Sequence, residues 1–136
     1  MVGSTSDGEI PNLYDAWSCC LAESGTTMII LRMTMNALPE KQKELMLTLI
    51  SMIEPTAKEK GCLSYDVFCD IEDKNVFCLI GVWQNRQDLE HHLRTDRFGV
   101  LLGTKTLLIE PLKIQINTVY ESEQMEAVKA ARDKKI

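Results

Sequence analysis

The sequence predicts an α+β fold, a single ferredoxin-like βαββαβ domain with an antiparallel sheet. Two observations predict it. Strand-like and helix-like hydrophobic runs follow one another in the order β-α-β-β-α-β, the split βαβ arrangement. The middle pair of strands reads as a hairpin that is largely apolar on both faces, so it needs helices on one side and a second layer on the other. A chain of 136 residues has room for one such core.

Each element has its own signal. Residues 1–10 are small and polar and are expected to be loose. A short helix is expected over 12–23, where Asn12 can cap and Leu13, Trp17 and Leu21 fall four apart. This divides the chain into an N-terminal arm over 1–26, the domain over 27–119 and a helical tail over 120–136. In the domain, 27–36 reads as the first strand, with Met28, Ile29, Ile30 and Leu31 in one apolar run. Pro39 and Glu40 open a long helix carrying Leu45, Leu49, Met52 and Ile53 on one face. Pro55 should kink or break it near 51–54, and Lys60-Gly61 should close it.

A hairpin follows, 62–72 against 75–83, with a two-residue turn at Asp73-Lys74. In that register Ile71 faces Val76, Cys69 faces Cys78, Val67 faces Ile80 and Tyr65 faces Val82. The opposite face then pairs Phe68 with Leu79, Asp66 with Gly81 and Ser64 with Trp83, and this second face is the expected dimer seal. Trp83 and Tyr65 fall on opposite faces. Cys69 and Cys78 face each other within disulfide reach, yet are expected to stay reduced.

Asn85 caps a second helix, with Asp88 as the capping acid and Leu89 and Leu93 on its buried face. Residues 98–102 add helical turns. Pro111 starts the last strand, in which Leu112, Ile114 and Ile116 alternate with Lys113, Gln115 and Asn117. Residues 121–135 read as a polar surface helix.

Composition excludes several functions. The chain is 45% hydrophobic and 26% charged, with a net charge of -5, and no apolar run long enough to span a membrane. Four of the acids (Asp7, Glu9, Asp15 and Glu23) lie in 1–26, which holds no Lys or Arg. With no basic stripe, neither nucleic acid nor an anionic membrane is an expected partner. The apolar stretch near the N-terminus is broken by Ser18, so no signal peptide is expected and the cytoplasm is the default location. The five cysteines form no CxxC pair: Cys19 and Cys20 are adjacent, and Cys62, Cys69 and Cys78 lie in apolar segments. No metal site is expected, and the thiols read as reduced.

The segment Gly61-Cys62-Leu63-Ser64-Tyr65 and the run from Val82-Trp83 through His92-Leu93 to Phe98 resemble the antibiotic biosynthesis monooxygenase family, which includes small quinol monooxygenases. Members carry a Gly-Cys-Leu-x-Tyr stretch after the first helix, a Trp closing the third strand and a His nine residues later. Here those places are held by Gly61 to Tyr65, Trp83 and His92, and the resemblance covers about 28–119. It implies a monomer whose sheet packs on its partner's sheet in a dimeric α+β barrel. It also implies oxidation of a small quinol-like aromatic by molecular oxygen with no cofactor, neither metal nor flavin. Two positions depart from the aromatic-polyketide branch, whose Asn and Tyr are Leu79 and Leu89 here. Haem-degrading members usually have Trp in place of His92 and an axial His ten residues on, where this chain has Leu102.

His92 is the candidate catalytic residue, an inward helix imidazole able to shuttle a proton near neutral pH; a structural histidine is the competing role. His91 points to solvent. Trp83 could stack on a substrate or anchor the core, and Tyr65 could join it or simply pack. Arg32, Thr34 and Asn36 alternate on one face of the first strand, with Arg32 and Asn36 candidates to orient a quinol oxygen or to form a polar dimer contact. Three readings follow: a homodimeric, cofactor-independent monooxygenase, a non-catalytic dimeric module binding a small apolar ligand, and haem capture or degradation.

Overall fold

The computed structural model describes residues 27–134. The loose segment expected over 1–10, the helix expected over 12–23 and the Cys19–Cys20 pair lie outside them. Strand β1 (Met28–Asn36) is the central element, hydrogen-bonded on one edge to β3 (Val76–Trp83) and on the other to β4 (Lys113–Val119). Its side chains alternate, as a strand requires. Ile29, Leu31, Met33 and Met35 are buried under the helices, whereas Met28, Ile30, Arg32, Thr34 and Asn36 point to the other face. With β2 (Cys62–Cys69) beside β3, the order is β2-β3-β1-β4 and every pairing is antiparallel, the ferredoxin-like fold that the hydrophobic pattern predicts.

One tight turn, Pro39–Lys41, leads into α1 (Gln42–Ala57), which lays Leu45, Leu49, Met52 and Thr56 on the core. The helix runs on through Pro55 to Ala57, so the break expected near 51–54 is absent. Pro55 lies in the last turn, where the loss of a single backbone hydrogen bond leaves little helix beyond it to unravel. Gly61 then reverses the chain with φ +79°, and a Cβ there would stand 2.0 Å from Asp88 Oδ2. Its carbonyl accepts from the Gln84 N–H at 2.7 Å, which ties this turn to the end of β3.

The hairpin differs from expectation by one residue of register. Tyr65 faces Gly81, Val67 faces Leu79 and Cys69 faces Phe77, while Phe68 faces Cys78 and Asp66 faces Ile80. The connection is the six residues 70–75, not a two-residue turn. Asp70 Oδ1 accepts from the Glu72 N–H at 2.7 Å and Asp73 Oδ1 from the Asn75 N–H at 3.0 Å. Two acidic side chains thus turn their own backbone, while the Asp70 N–H still donates to the Val76 carbonyl at 2.9 Å and closes the pairing. A slip of one residue moves each partner to the other face. Tyr65 and Trp83 therefore share the helix-covered face, and Cys69 and Cys78 lie on opposite faces rather than opposite each other. The expected dimer seal divides the same way: Leu79, Gly81 and Trp83 lie under the helices, and only Ser64, Asp66 and Phe68 face outward, together with Val76, Cys78, Ile80 and Val82.

Asn85 caps α2 (Arg86–Leu93) as expected, its Oδ1 accepting from the Asp88 N–H at 2.9 Å. Thr95 caps α3 (Asp96–Leu102), a 3₁₀ segment Gly103–Leu107 follows, and α4 (Met125–Asp133) ends the described chain with no buried residue. Among the described residues no helix is long and apolar enough to cross a membrane. The outward sheet face is apolar at one end, where Met28 and Val82 pack with Ile30, Leu63, Ile80 and Val119. Its other end carries two shallow grooves of about 280 and 210 Å³ on either side of Arg32 and Thr34.

This register predicts that mild oxidation of the folded protein leaves Cys69 and Cys78 unlinked to each other. Peptide mapping that recovered an intramolecular Cys69–Cys78 disulfide from native protein would contradict it.

Candidate functional site

Four aromatic rings meet between the sheet and the helices. Trp83 closes β3 at zero exposure, and the His92 imidazole from the last turn of α2 lies over it with centroids 4.6 Å apart and planes 34° from parallel. Tyr65 of β2 sets its edge against both, at 6.1 Å from Trp83 and 5.9 Å from His92. Phe98 of α3 closes the far side of the imidazole at 5.4 Å. Leu79 and Leu89, the two departures from the aromatic-polyketide pattern, are both fully buried in the same core.

Local sequence explains how the imidazole is presented. The Asn85 cap fixes where α2 begins, so Leu89 and His92 share its inward side while His91 is exposed. After Leu93 the chain is held by Thr95, whose hydroxyl donates to the His92 carbonyl at 2.7 Å and accepts from the Phe98 N–H at 3.2 Å. That double contact starts α3 and places Arg97 and Phe98 beside His92. On the other side, the turn after α1 brings Glu59 inward. Glu59 Oε1 lies 2.9 Å from His92 Nδ1, and its other oxygen is paired with Arg97 Nη2. A carboxylate only accepts, so Nδ1 carries the hydrogen.

Three nitrogens of this cluster are buried with no hydrogen-bond partner among the described residues: His92 Nε2, Trp83 Nε1 and Arg97 Nε. Buried polar groups are nearly always paired, so three unpaired nitrogens in one cluster are an exception that packing does not account for. Burial holds the His92 pKa below its ordinary value, against the opposing pull of Glu59. Burial also pushes the Tyr65 hydroxyl upward and the Cys62 thiol up to about 12, each with Glu59 adding to the effect. A thiol held that high is mostly protonated near neutral pH. Among the described residues no three His, Cys, Asp or Glu side chains converge as metal ligands.

Of the residues singled out by sequence, the structure brings His92, Trp83 and Tyr65 together. It does not bring Arg32 or Asn36 to them, because both project from the other face of β1. Glu59 and Arg97 were not singled out. Glu59 stands among Lys58, Lys60 and Gly61 and reads locally as a solvated helix end, and its contacts lie 33 and 38 residues away.

The profile of the family described as antibiotic biosynthesis monooxygenase matches residues 28–101, just over half of the chain. An uncharacterised protein of Synechocystis is 32% identical over 88 residues, or 64% of this chain and 60% of that protein, so the match spans less than two-thirds of that relative. YcnE of Bacillus subtilis, provisionally named a monooxygenase, is 28% identical over 88 residues and 93% of its length is covered. Among solved structures, one from Deinococcus radiodurans, also provisionally named an antibiotic biosynthesis monooxygenase, superposes with a TM-score of 0.66. It is 26% identical, with 71% of this chain and 96% of that one covered. A Pseudomonas aeruginosa protein superposes at 0.63 with 28% identity, over 74% of this chain and 100% of that one.

The lowered pKa of His92 has a consequence for stability. The unfolded chain takes up the His92 proton near pH 6.5, and the folded chain does so only at lower pH, so the unfolded state binds more protons between the two values. Stability should fall as pH drops below about 6.5 and level off once the folded imidazole is also charged. Urea midpoints from pH 7.5 to 5 measure this against His92→Gln, in which that share of the decline should vanish; an unchanged decline would sink the assignment.

Proposed function

Because the chain belongs to the antibiotic biosynthesis monooxygenase family, we propose that it is a cofactor-independent monooxygenase that oxidises a small quinol-like aromatic with molecular oxygen. The observation that carries this is the pair of unpartnered buried nitrogens, His92 Nε2 and Trp83 Nε1, in an aromatic enclosure. A phenolic group has what each lacks, an O–H for the imidazole lone pair and an oxygen lone pair for the indole N–H. His92 takes the phenolic proton, and the resulting quinolate is electron-rich enough to reduce oxygen. Over the whole reaction one oxygen atom enters the ring, the other leaves as water, and the quinol supplies both hydrogens of that water. The apolar rings of Tyr65, Trp83 and Phe98 exclude bulk water, which strengthens every polar contact inside.

The working form on this reading is a homodimer, a dimeric α+β barrel closed through the outward sheet face. Phe68, Cys78 and Ile80 are apolar and only partly covered there, and Phe68 is 45% exposed in the single chain. Arg32 and Asn36 then belong to the subunit contact rather than to the substrate site. A cytoplasmic location fits the free thiols of Cys62, Cys69 and Cys78.

The purified protein should consume oxygen when given a reduced quinol or naphthol. His92→Ala should lower turnover about 10²–10⁴-fold, the usual loss for a positioned acid/base group, and leave the sedimentation coefficient unchanged. Full activity in that variant would show that His92 is structural. If no quinol in a broad panel is oxidised above the solvent rate, non-catalytic binding of a small apolar ligand takes the place of this function. Separately, Ile80→Asp should convert the dimer to a monomer in sedimentation equilibrium at micromolar concentration, and a wild-type chain that sediments as a monomer would remove the barrel.

A further inference from the structure

The Glu59 carboxylate sits at the junction of two contacts that the acid/base role of His92 does not by itself require. One oxygen meets Nδ1 of the imidazole at 2.9 Å and the other is paired with the Arg97 guanidinium. We infer that Glu59 is the positioning residue of this site: it holds His92 in the tautomer whose hydrogen is on Nδ1, so that the lone pair of Nε2 is the one presented to substrate. The inference rests on the proposed quinol oxidation for its kinetic part and on geometry alone for its tautomeric part.

The geometry supports it in three ways. A free imidazole can carry its hydrogen on either nitrogen, and only the nitrogen without it can take a proton. Glu59 removes that choice, because its side chain is 9% exposed and offers Nδ1 nothing but an acceptor. Arg97 holds the carboxylate from the far side, so that it cannot swing away from the ring. Finally Nε2, the nitrogen left free, is the one that is buried without a partner. In the proton-transfer step the O–H bond of the substrate breaks and an N–H bond forms at Nε2. The hydrogen on Nδ1 stays where it is, and the positive charge that appears on the ring is faced by the Glu59 carboxylate. The charged and titratable groups around the imidazole are Glu59 after α1, Arg97 on α3, Tyr65 and Cys62 on β2 and His91 on its own helix.

Two readouts test this, one of them free of turnover. In protein labelled with ¹⁵N histidine, His92 of the wild type should show a protonated Nδ1 and a bare Nε2 at pH 7.5. Glu59→Ala should show both tautomers in exchange. Its kcat should fall on the order of 10–100-fold, as when an orienting outer partner is lost, with KM for the quinol little changed. Glu59→Gln has one oxygen for two donors; with that oxygen on Arg97, its NH2 faces Nδ1, so this variant too should shift the hydrogen toward Nε2 and lower kcat. Arg97, 38% exposed, can be solvated in both variants, which favours folding without the carboxylate. A wild-type Nδ1 without hydrogen, or a Glu59→Ala protein with the wild-type tautomer, would overturn the inference. A wild type that oxidises no quinol would overturn the proposed reaction but leave the tautomer result to decide the role of Glu59.

Discussion

Tyr65 and Trp83 set their rings edge to face on one side of the sheet over a position that has no side chain. Gly81 is that position. It stands directly opposite Tyr65 and two residues before Trp83, and a Cβ on it would lie 2.4 Å from Trp83 Cζ3 and 3.0 Å from Tyr65 Cδ1. The indole therefore folds back over the strand backbone, and its upper surface is left for the imidazole of His92. Without that gap the Trp83 ring would have to move, and α2 would lose the surface on which its last turn rests. The aromatic enclosure thus depends on an absence of volume in the middle of β3.

Around this apolar enclosure the fold accepts a polar cost. Glu59, His92 and Arg97 bring charge against a region built from Trp83, Tyr65, Phe98, Leu79 and Leu89. A buried pair of this kind seldom adds net stability, because the desolvation of both partners offsets their attraction. The direction at His92 shows that balance: burial outweighs the nearby carboxylate. A core meant only to be stable would have a hydrophobic residue at position 92. The unpartnered Nε2 is the part of the cluster that packing leaves unused.

Much of the architecture was legible because it follows from period and capping. The order of strands and helices, the Asn85–Asp88 cap and the alternation in β1 and β4 are local patterns, and they appear where the sequence puts them. The hairpin register was not, for a specific reason. Val76 to Trp83 is apolar on both faces, so its own pattern favours neither register, and the Asp73-Lys74 dipeptide suggested a tight turn. The structure instead sets Tyr65 and Val67 on the side of β3 that carries Phe77, Leu79 and Trp83. Ile71, 99% exposed, shows that hydrophobicity alone did not draw the loop into the sheet against two Asp side chains turning the backbone. His92, Trp83 and Tyr65 could be singled out as single residues, but Glu59 and Arg97 gain their meaning only from contacts more than thirty residues apart.

The two faces of β3 explain why that strand looks like a buried one throughout. Phe77, Leu79 and Trp83 face the helix-covered core, and Val76, Cys78, Ile80 and Val82 the outward face. An antiparallel strand with one wet face would alternate apolar with polar; a strand covered on both sides has no such alternation. β1 keeps the alternation at its far end, where Arg32, Thr34 and Asn36 share the outward face with the grooves beside them. The outward face is thus apolar toward Met28 and Val82 and polar toward Arg32 and Lys113. Association through this surface would seat the apolar half first and leave the polar half to set the orientation, since charged groups give register more than affinity. The same strand serves both: Ile80 and Val82 on the outward face flank Gly81, which is followed by Val82 and Trp83 on one continuous backbone.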